Sequence, residues 1–272
     1  MSADSGAEII RTENVTKRFG ELIAVDRVNY LLHKNEVAGI IGSNGAGKTT
    51  FFNLITGYYP PDEGTILYKG EDVTHVSPQK RVAMGMMRTF QLTSTFDNLK
   101  VIDNLVLSFF RAHKKSSLLS LFLTTCKRYR QEEKIAESLE TFDLQDVSDR
   151  LVRHLSLGEK RRLELAMAIL AEPEVLLLDE PLAGLGESEI KGVLGVLRKH
   201  IGRQTILIVE HKISKVEDFL ERLTVMHDGK IIADGGYEEC LRDPEVRRSY
   251  WQIDASAEGT GHACTNGVHD DE

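Results

Sequence analysis

The chain has 272 residues, 41% of them hydrophobic, enough to bury a sizeable core as one large domain or two small lobes. Its formal charge is −8, but residues 254–272 hold five acids and no Lys or Arg, which leaves only about −3 on residues 1–253 and no basic footprint for nucleic acid in either part. Three widely spaced cysteines, Cys126, Cys240 and Cys264, suggest neither a disulfide framework nor a zinc site and fit a reducing cytosol.

The first ten residues, MSADSGAEII, lack the basic-then-apolar layout of a signal peptide. No apolar run approaches the roughly 18–20 residues a spanning helix needs, so any membrane connection is expected to run through a partner. β-like segments near 8–31 and 64–73, with turn residues at PPDEG and KGED, read as a smaller antiparallel layer. Between them, VAGII (37–41) reads as a strand leading into a helical pattern over 48–57. Residues from about 95 to 155 show no comparable strand and read as an inserted helical lobe. Ser156 and Glu159 then have the S-x-x-E spacing of a capping box, ahead of an apolar-periodic run over 159–171. EVLLLD (174–179), TILIVE (205–210) and RLTVMHDGKIIADG (222–235) read as further strands, with a helical pattern over 187–201. The middle runs are apolar almost throughout, as strands buried on both faces of a parallel sheet are, and the expected class is α/β with crossover helices. From about residue 254 the chain is small and polar, the composition of a disordered tail.

The chemistry starts in GIIGSNGAGKTTFFNLITG, where Gly42, Gly47, Lys48 and Thr49 satisfy G-x-x-x-x-G-K-[ST] between an apolar strand and a helix. In that context Gly42, Ser43, Asn44, Gly45, Ala46, Gly47, Lys48, Thr49 and Thr50 read as a phosphate cradle. The glycines let backbone N–H groups curl around phosphate oxygens, Lys48 reaches the β and γ phosphates, and the Thr49 hydroxyl ligates Mg²⁺. EVLLLDE adds Asp179 at a strand end, to hold Mg²⁺ directly or through water, and Glu180 one step nearer the nucleophile, to orient and deprotonate the attacking water. ILIVEH puts His211 at another strand end, either as a packed or surface residue or as a γ-phosphate ligand that holds Glu180 and the water in place. Gln91, in RTFQ, is either a solvated amide or a ligand to the metal and the water.

GSNGAGKTT, the Gln91 loop, LSLGEKRRLELA, LLLDEP and VEH, in that order, resemble the ATP-binding subunits of ABC transporters over about residues 8–253. The resemblance implies a P-loop NTPase (RecA-like) core with an antiparallel β layer and an inserted helical subdomain at about 95–155; it stops before the acidic tail over 254–272, which composition alone sets apart. It implies ATP and Mg²⁺ as ligands, with Phe19 in VTKRFGELIAV matching the aromatic that stacks on adenine; an edge-strand core residue is the other reading of Phe19. It also implies head-to-tail pairing, in which Ser156 and Gly158 of one cassette close over the P-loop nucleotide of another, either a second copy or a paralogue. Integral membrane permease subunits would be direct partners, an extracytoplasmic substrate-binding protein an indirect one, and the location the cytoplasmic face of the membrane. RTFQ, LS-x-GE-x-RRLE, EPLAGLG and the DPEV…YW ending resemble most closely the ATPases of branched-chain amino-acid importers. Similar cassettes serve urea or amide uptake and lipopolysaccharide export; a soluble, non-transport ABC ATPase is the more distant alternative.

The sequence departs from that family's pattern at several positions. The usual L-S-G-G-Q reads Leu155, Ser156, Leu157, Gly158, Glu159, and the added carboxylate is expected to weaken anion binding. The loop after the strand-end carboxylates reads Ala183, Gly184, Leu185, Gly186, so an acid that commonly couples the two sites is missing at Gly186. Lys212 follows His211 where many relatives have Asp. RAHKKSSLLSLFLTTCKRYRQEEK combines basic flanks with an apolar stretch, Leu118 to Leu123, read either as a packed helix or as a face toward the cytoplasmic helices of a membrane partner.

Overall fold

The computed structural model describes residues 6–89, 95–113, 132–210 and 216–251. Gln91, His211, Lys212, the stretch Leu118–Leu123 and the acidic tail lie outside the described residues. In chain order the strands are β1 (Glu8–Phe19), β2 (Leu22–His33), β3 (Val37–Gly42), β4 (Glu63–Tyr68), β5 (Glu71–Asp72), β6 (Met86–Thr89), β7 (Val175–Asp179), β8 (Thr205–Val209), β9 (Arg222–His227) and β10 (Lys230–Gly235). The helices are α1 (Lys48–Ile55), α2 (Pro78–Ala83), α3 (Val101–His113), α4 (Glu133–Thr141), α5 (Leu157–Leu170), α6 (Glu187–Arg198), α7 (Tyr237–Arg242) and α8 (Pro244–Trp251).

The unbroken apolar runs become the centre of a six-stranded sheet in the order β10-β9-β3-β8-β7-β6, parallel except where β10 folds back on β9. Each central strand feeds two cores, because successive side chains point to opposite faces. On β7, Val175 and Leu177 enter the core shared with α1 and the antiparallel layer, while Leu176 and Leu178 enter the core shared with α3, α5 and α6. Leu207 and Val209 of β8 divide from Ile206 and Ile208 in the same way. The antiparallel layer, in the order β2-β1-β4-β5, covers the first of these cores.

One element that positions the site escapes a search for apolar runs. Strand β6 has only four residues, Met-Met-Arg-Thr, too short and too polar to stand out, yet it pairs in parallel with β7 from Met86↔Val175 to Thr89↔Leu178. The short helices α7 and α8 pack on β9 and β10 without any long apolar run to announce them.

Helix α1 is held from behind by Arg81 of α2. This side chain is 1% exposed and donates to the carbonyl oxygens of Leu54 (2.9 Å) and Ile55 (2.5 Å), closing the α1 C-terminus with a cation where the helix dipole favours one. Burial pushes its guanidinium down to about 10. The opposite end of α1 faces the site.

Candidate functional site

Strand β3 ends at Gly42, and the chain turns through Ser43–Gly47 into α1. Gly47 has φ 95°, and a Cβ there would lie 2.3 Å from the Ala24 carbonyl oxygen, so both conformation and space demand glycine. Gly42 is bound by space alone, since a Cβ would sit 2.3 Å from the Met226 carbonyl oxygen. The turn between β9 and β10 supports the loop from one side: Gly229 N–H donates to the Ala46 carbonyl (3.1 Å), and Asp26 N–H donates to that of Gly229 (2.9 Å). Among the described residues no side chain caps Gly47 and no acid sits in the first turn of α1, so the helix begins as an uncovered set of N–H donors with the positive end of its dipole.

Those donors open onto a cleft of about 500 Å³ whose polar wall is Asn44, Gly45, Ala46, Gly47, Lys48, Thr49 and Thr50, and whose apolar wall is Phe19, Leu22, Ile23 and Ala24. Phe19 is 44% exposed and Leu22 66%, at the tip of the β1–β2 hairpin. Phe19 is therefore not a core residue. It stands edge-on to Tyr59 with ring centroids 5.5 Å apart and presents an aromatic surface beside the phosphate-type loop, the combination a base plus a polyphosphate needs.

Lys48 lies under the loop, 4% exposed, with Nζ donating to the carbonyl oxygens of Gly42 (2.8 Å) and Ser43 (2.9 Å). Burial lowers its pKa from the usual lysine value, while the negative charges of Glu180 and Asp179 act to raise it. The carboxylate that ends β7, the one that follows it and the lysine of the loop thus share one electrostatic site. Asp179, 1% exposed, accepts at Oδ2 from Arg88 Nη2 of β6 at 2.8 Å. Arg88 also donates from Nη1 to Asn53 Oδ1 of α1 (2.6 Å), and its guanidinium lies 4.9 Å from the Phe52 ring centroid and 5.0 Å from that of Tyr58. Arg88 thereby ties the strand-end acid to the helix that follows the phosphate-type loop. Glu180 adopts φ 47°, a left-handed backbone uncommon outside glycine, with its N–H donating to the Val209 carbonyl (2.9 Å). The loop beyond it is anchored by Glu210, 5% exposed, whose Oε1 accepts the Leu182 N–H at 2.9 Å.

Two of these participants, Arg88 and Glu210, do not emerge from the sequence as site residues. Arg88 lies in RTFQ and Glu210 in VEH, where Gln91 and His211, both outside the described residues, are the side chains with the evident chemistry. A fixed β6–β7 register was the missing signal for Arg88. An acid directly after the apolar run TILIV was the available signal for Glu210.

The signature-like segment begins α5 as the S-x-x-E spacing predicts. Ser156 Oγ accepts the Glu159 N–H (3.2 Å) and Glu159 Oε2 accepts the Ser156 N–H (2.6 Å). Neither Ser156 nor Gly158 lines the cleft described above. Gly158 N–H donates instead to Glu189 Oε1 of α6, at 3.1 Å.

A glycine loop running from a buried parallel strand into an uncapped helix, with acids at the end of a second strand of that sheet, defines a P-loop nucleoside triphosphatase. A family model described as ABC transporter matches residues 25–183. The chain is 36% identical over 248 residues to the high-affinity branched-chain amino acid transport ATP-binding protein LivG of Escherichia coli (strain K12), covering 89% of this chain and 97% of that one. It is 35% identical over 250 residues to the probable branched-chain amino acid transport ATP-binding protein LivG of Methanocaldococcus jannaschii, with the same coverage of 89% and 97%. A nucleotide-free ATP-binding cassette from an ABC transporter superposes with a TM-score of 0.75 at 33% identity, over 89% of this chain and 98% of that chain. An ABC transporter cassette in its ADP conformation gives the same TM-score of 0.75 and 33% identity over 90% and 99%. The chain belongs to the ABC transporter family, as one of its ATP-binding cassettes.

Proposed function

We propose that the protein is the ATP-hydrolysing subunit of an importer of branched-chain amino acids. It would work as one of a head-to-tail pair of cassettes beneath integral membrane permease subunits, at the cytoplasmic face of the membrane, with a substrate-binding protein on the far side. The observation that carries the ATPase reading is the uncapped N-terminus of α1 above Lys48, within electrostatic reach of Asp179 and Glu180. The cargo reading rests on the names of the relatives. No helix among the described residues is long and apolar enough to cross a membrane, which accords with attachment through a permease. Residues 1–253 are proposed as the ATPase domain, with residues of about 95–155 as the helical subdomain inserted in it and 254–272 as a tail.

In this reading the Gly42–Thr50 backbone cradles the phosphates, Phe19 stacks on the base, and Lys48 moves from its carbonyl oxygens to the β and γ phosphates. The residues fit Mg²⁺: an exposed Thr49 hydroxyl on the cleft and a buried Asp179 carboxylate are hard oxygen donors. The described residues contain no cluster of three His, Cys, Asp or Glu side chains able to hold a metal by themselves, so the ion would arrive with the nucleotide's own oxygens. When bound, it neutralises charge on the transferring phosphoryl group. Glu180 takes the proton of the attacking water, and Gln91 and His211 complete the geometry of the water and the γ-phosphate. Ser156 and Gly158 supply donors to the nucleotide on the opposite cassette.

Glu180→Gln tests this directly. The variant is expected to bind ATP with unchanged affinity, to lose turnover by about 10²-fold or more, and to accumulate an ATP-bound dimer. Hydrolysis at the wild-type rate would remove Glu180 from the role of base. For the cargo, ligand binding by the partner binding protein is the measurement that decides: high affinity for leucine, isoleucine or valine is expected, and preference for an unrelated ligand rejects it.

A further inference from the structure

Two contacts tie the segment that holds Leu157 and Gly158 to the loop that holds Gly184 and Gly186. Glu189, in the first turn of α6, accepts the Gly158 N–H at Oε1 (3.1 Å) and the Gly186 N–H at Oε2 (3.0 Å). A single carboxylate therefore joins the start of α5 to the loop that follows Asp179 and Glu180. It is seated against Gly158 so closely that a Cβ on that glycine would lie 2.2 Å from Oε1. Leu157 makes a second, apolar tie between the same two segments: a Cβ on Gly184, whose φ is 75°, would lie 3.0 Å from Leu157 Cδ2. On the far side the same loop is fixed by the bond from Leu182 N–H to Glu210.

Resting on the head-to-tail reading above, we propose that Glu189 is an internal latch: its carboxylate occupies the Gly158 N–H needed by the phosphate of the opposing cassette and must release it when the two cassettes close. One N–H makes one strong, near-linear bond, so carboxylate and phosphate compete for it. They also carry charge of the same sign, and exclusion of water on closure strengthens their repulsion. The other oxygen of Glu189 caps Gly186, six positions after Glu180, so release of Gly158 is felt in the loop that carries the proposed base. A positioning residue on α6 thereby supplies the coupling that an acid at position 186 would otherwise provide. Ser156 remains available throughout, because its Oγ accepts from Glu159 N–H and keeps its own hydrogen to donate.

The test uses the full chain carrying Glu180→Gln, with dimer formation followed by sedimentation against protein concentration at saturating ATP and Mg²⁺. Adding Glu189→Ala is expected to lower the midpoint for ATP-dependent pairing about tenfold, as loss of a competing charge-assisted bond predicts, while the ATP affinity of the dilute monomer stays unchanged. Glu189→Gln keeps the side-chain volume and an oxygen to cap Gly186, and it is expected to shift the midpoint in the same direction, which separates the latch from damage to α6. Glu187→Gln, a neighbouring exposed acid, is expected to leave the midpoint in place. An unchanged or raised midpoint in both Glu189 variants, or an equal shift in Glu187→Gln, overturns the latch alone. Failure of Glu180→Gln by itself to pair with ATP overturns the head-to-tail reading and the latch with it.

Discussion

Arg88 and Asp179 place a guanidinium and a carboxylate together at the carboxyl edge of the sheet, with side chains 11% and 1% exposed. Such a pair contributes little net stability relative to apolar replacements, but removal of one member strands the other in a medium that cannot solvate it. Arg88→Met should therefore cost about 3 kcal/mol in urea unfolding. Arg88→Lys should recover only part of that, because an ammonium cannot reach Asp179 and Asn53 as a fork while lying between two rings. The diagnostic variant is Arg88→Met combined with Asp179→Asn, expected to be more stable than Arg88→Met alone; additive losses would show that the pair is not coupled. At this scale the glycine loop was legible, because its residue types are demanded by backbone geometry close in sequence. The partners of Asp179 and of the Leu182 N–H were not, because Arg88 lies 91 residues and Glu210 28 residues from the group it holds. Those distances close only when strand order and register are set.

Among the elements, the strands and helices of the core were legible where one physical signal dominates: complete burial for β3, β7 and β8, and the capping box for α5. Elements defined by their neighbours were not, β6 foremost. Contacts between elements belong to the same illegible class, and one of them titrates. His200, two residues past the end of α6, stacks on Phe142, which follows α4, with centroids 6.5 Å apart and planes 25° from parallel. Its Nε2 is buried and without a hydrogen-bond partner among the described residues. Burial depresses the imidazole pKa below its ordinary value, and the charges of Arg203 and Lys199 add to the effect. A depressed folded-state pKa means that the unfolded chain binds the proton more readily, so this contribution to stability is complete above about pH 6.5 and is lost as pH falls through the folded value. The urea midpoint of the wild type should fall between pH 7.5 and pH 5.5. His200→Phe retains an aromatic ring against Phe142 without a titrating group and should show a shallower fall; identical slopes would rule out His200 as a contributor.

For the molecule as a whole, the binding cleft depends on the antiparallel layer being fixed on the parallel sheet, since Phe19, Leu22 and Ile23 come from one and Asn44–Thr50 from the strand–helix junction of the other. Beside the apolar core that the two layers share, Arg222 of β9 ties them together with polar bonds. Its Nε donates to Glu36 Oε1 (2.6 Å) and its Nη1 to Asp234 Oδ1 (2.6 Å) and Oδ2 (2.8 Å), Nη2 donates to the Leu31 carbonyl of β2, and the guanidinium lies 5.1 Å from the Tyr30 ring centroid. The side chain is 17% exposed and that of Glu36 12%, so Arg222→Leu leaves a nearly buried carboxylate beside a second one with no cation between them. The expected cost is about 3 kcal/mol, a fall in Tm of roughly 6–12 °C. Because β2 also carries Ala24, whose carbonyl lies against Gly47 and Gly229 beneath the loop, a loosened layer should weaken ATP binding as well as stability. Adding Glu36→Gln and Asp234→Asn to Arg222→Leu removes the stranded charges and should restore most of the Tm but not the ATP affinity, since the tie from β9 to Leu31 and Tyr30 stays cut. Recovery of both would assign Arg222 to charge balance alone, and recovery of Tm without affinity assigns it to holding the two halves of the cleft in register.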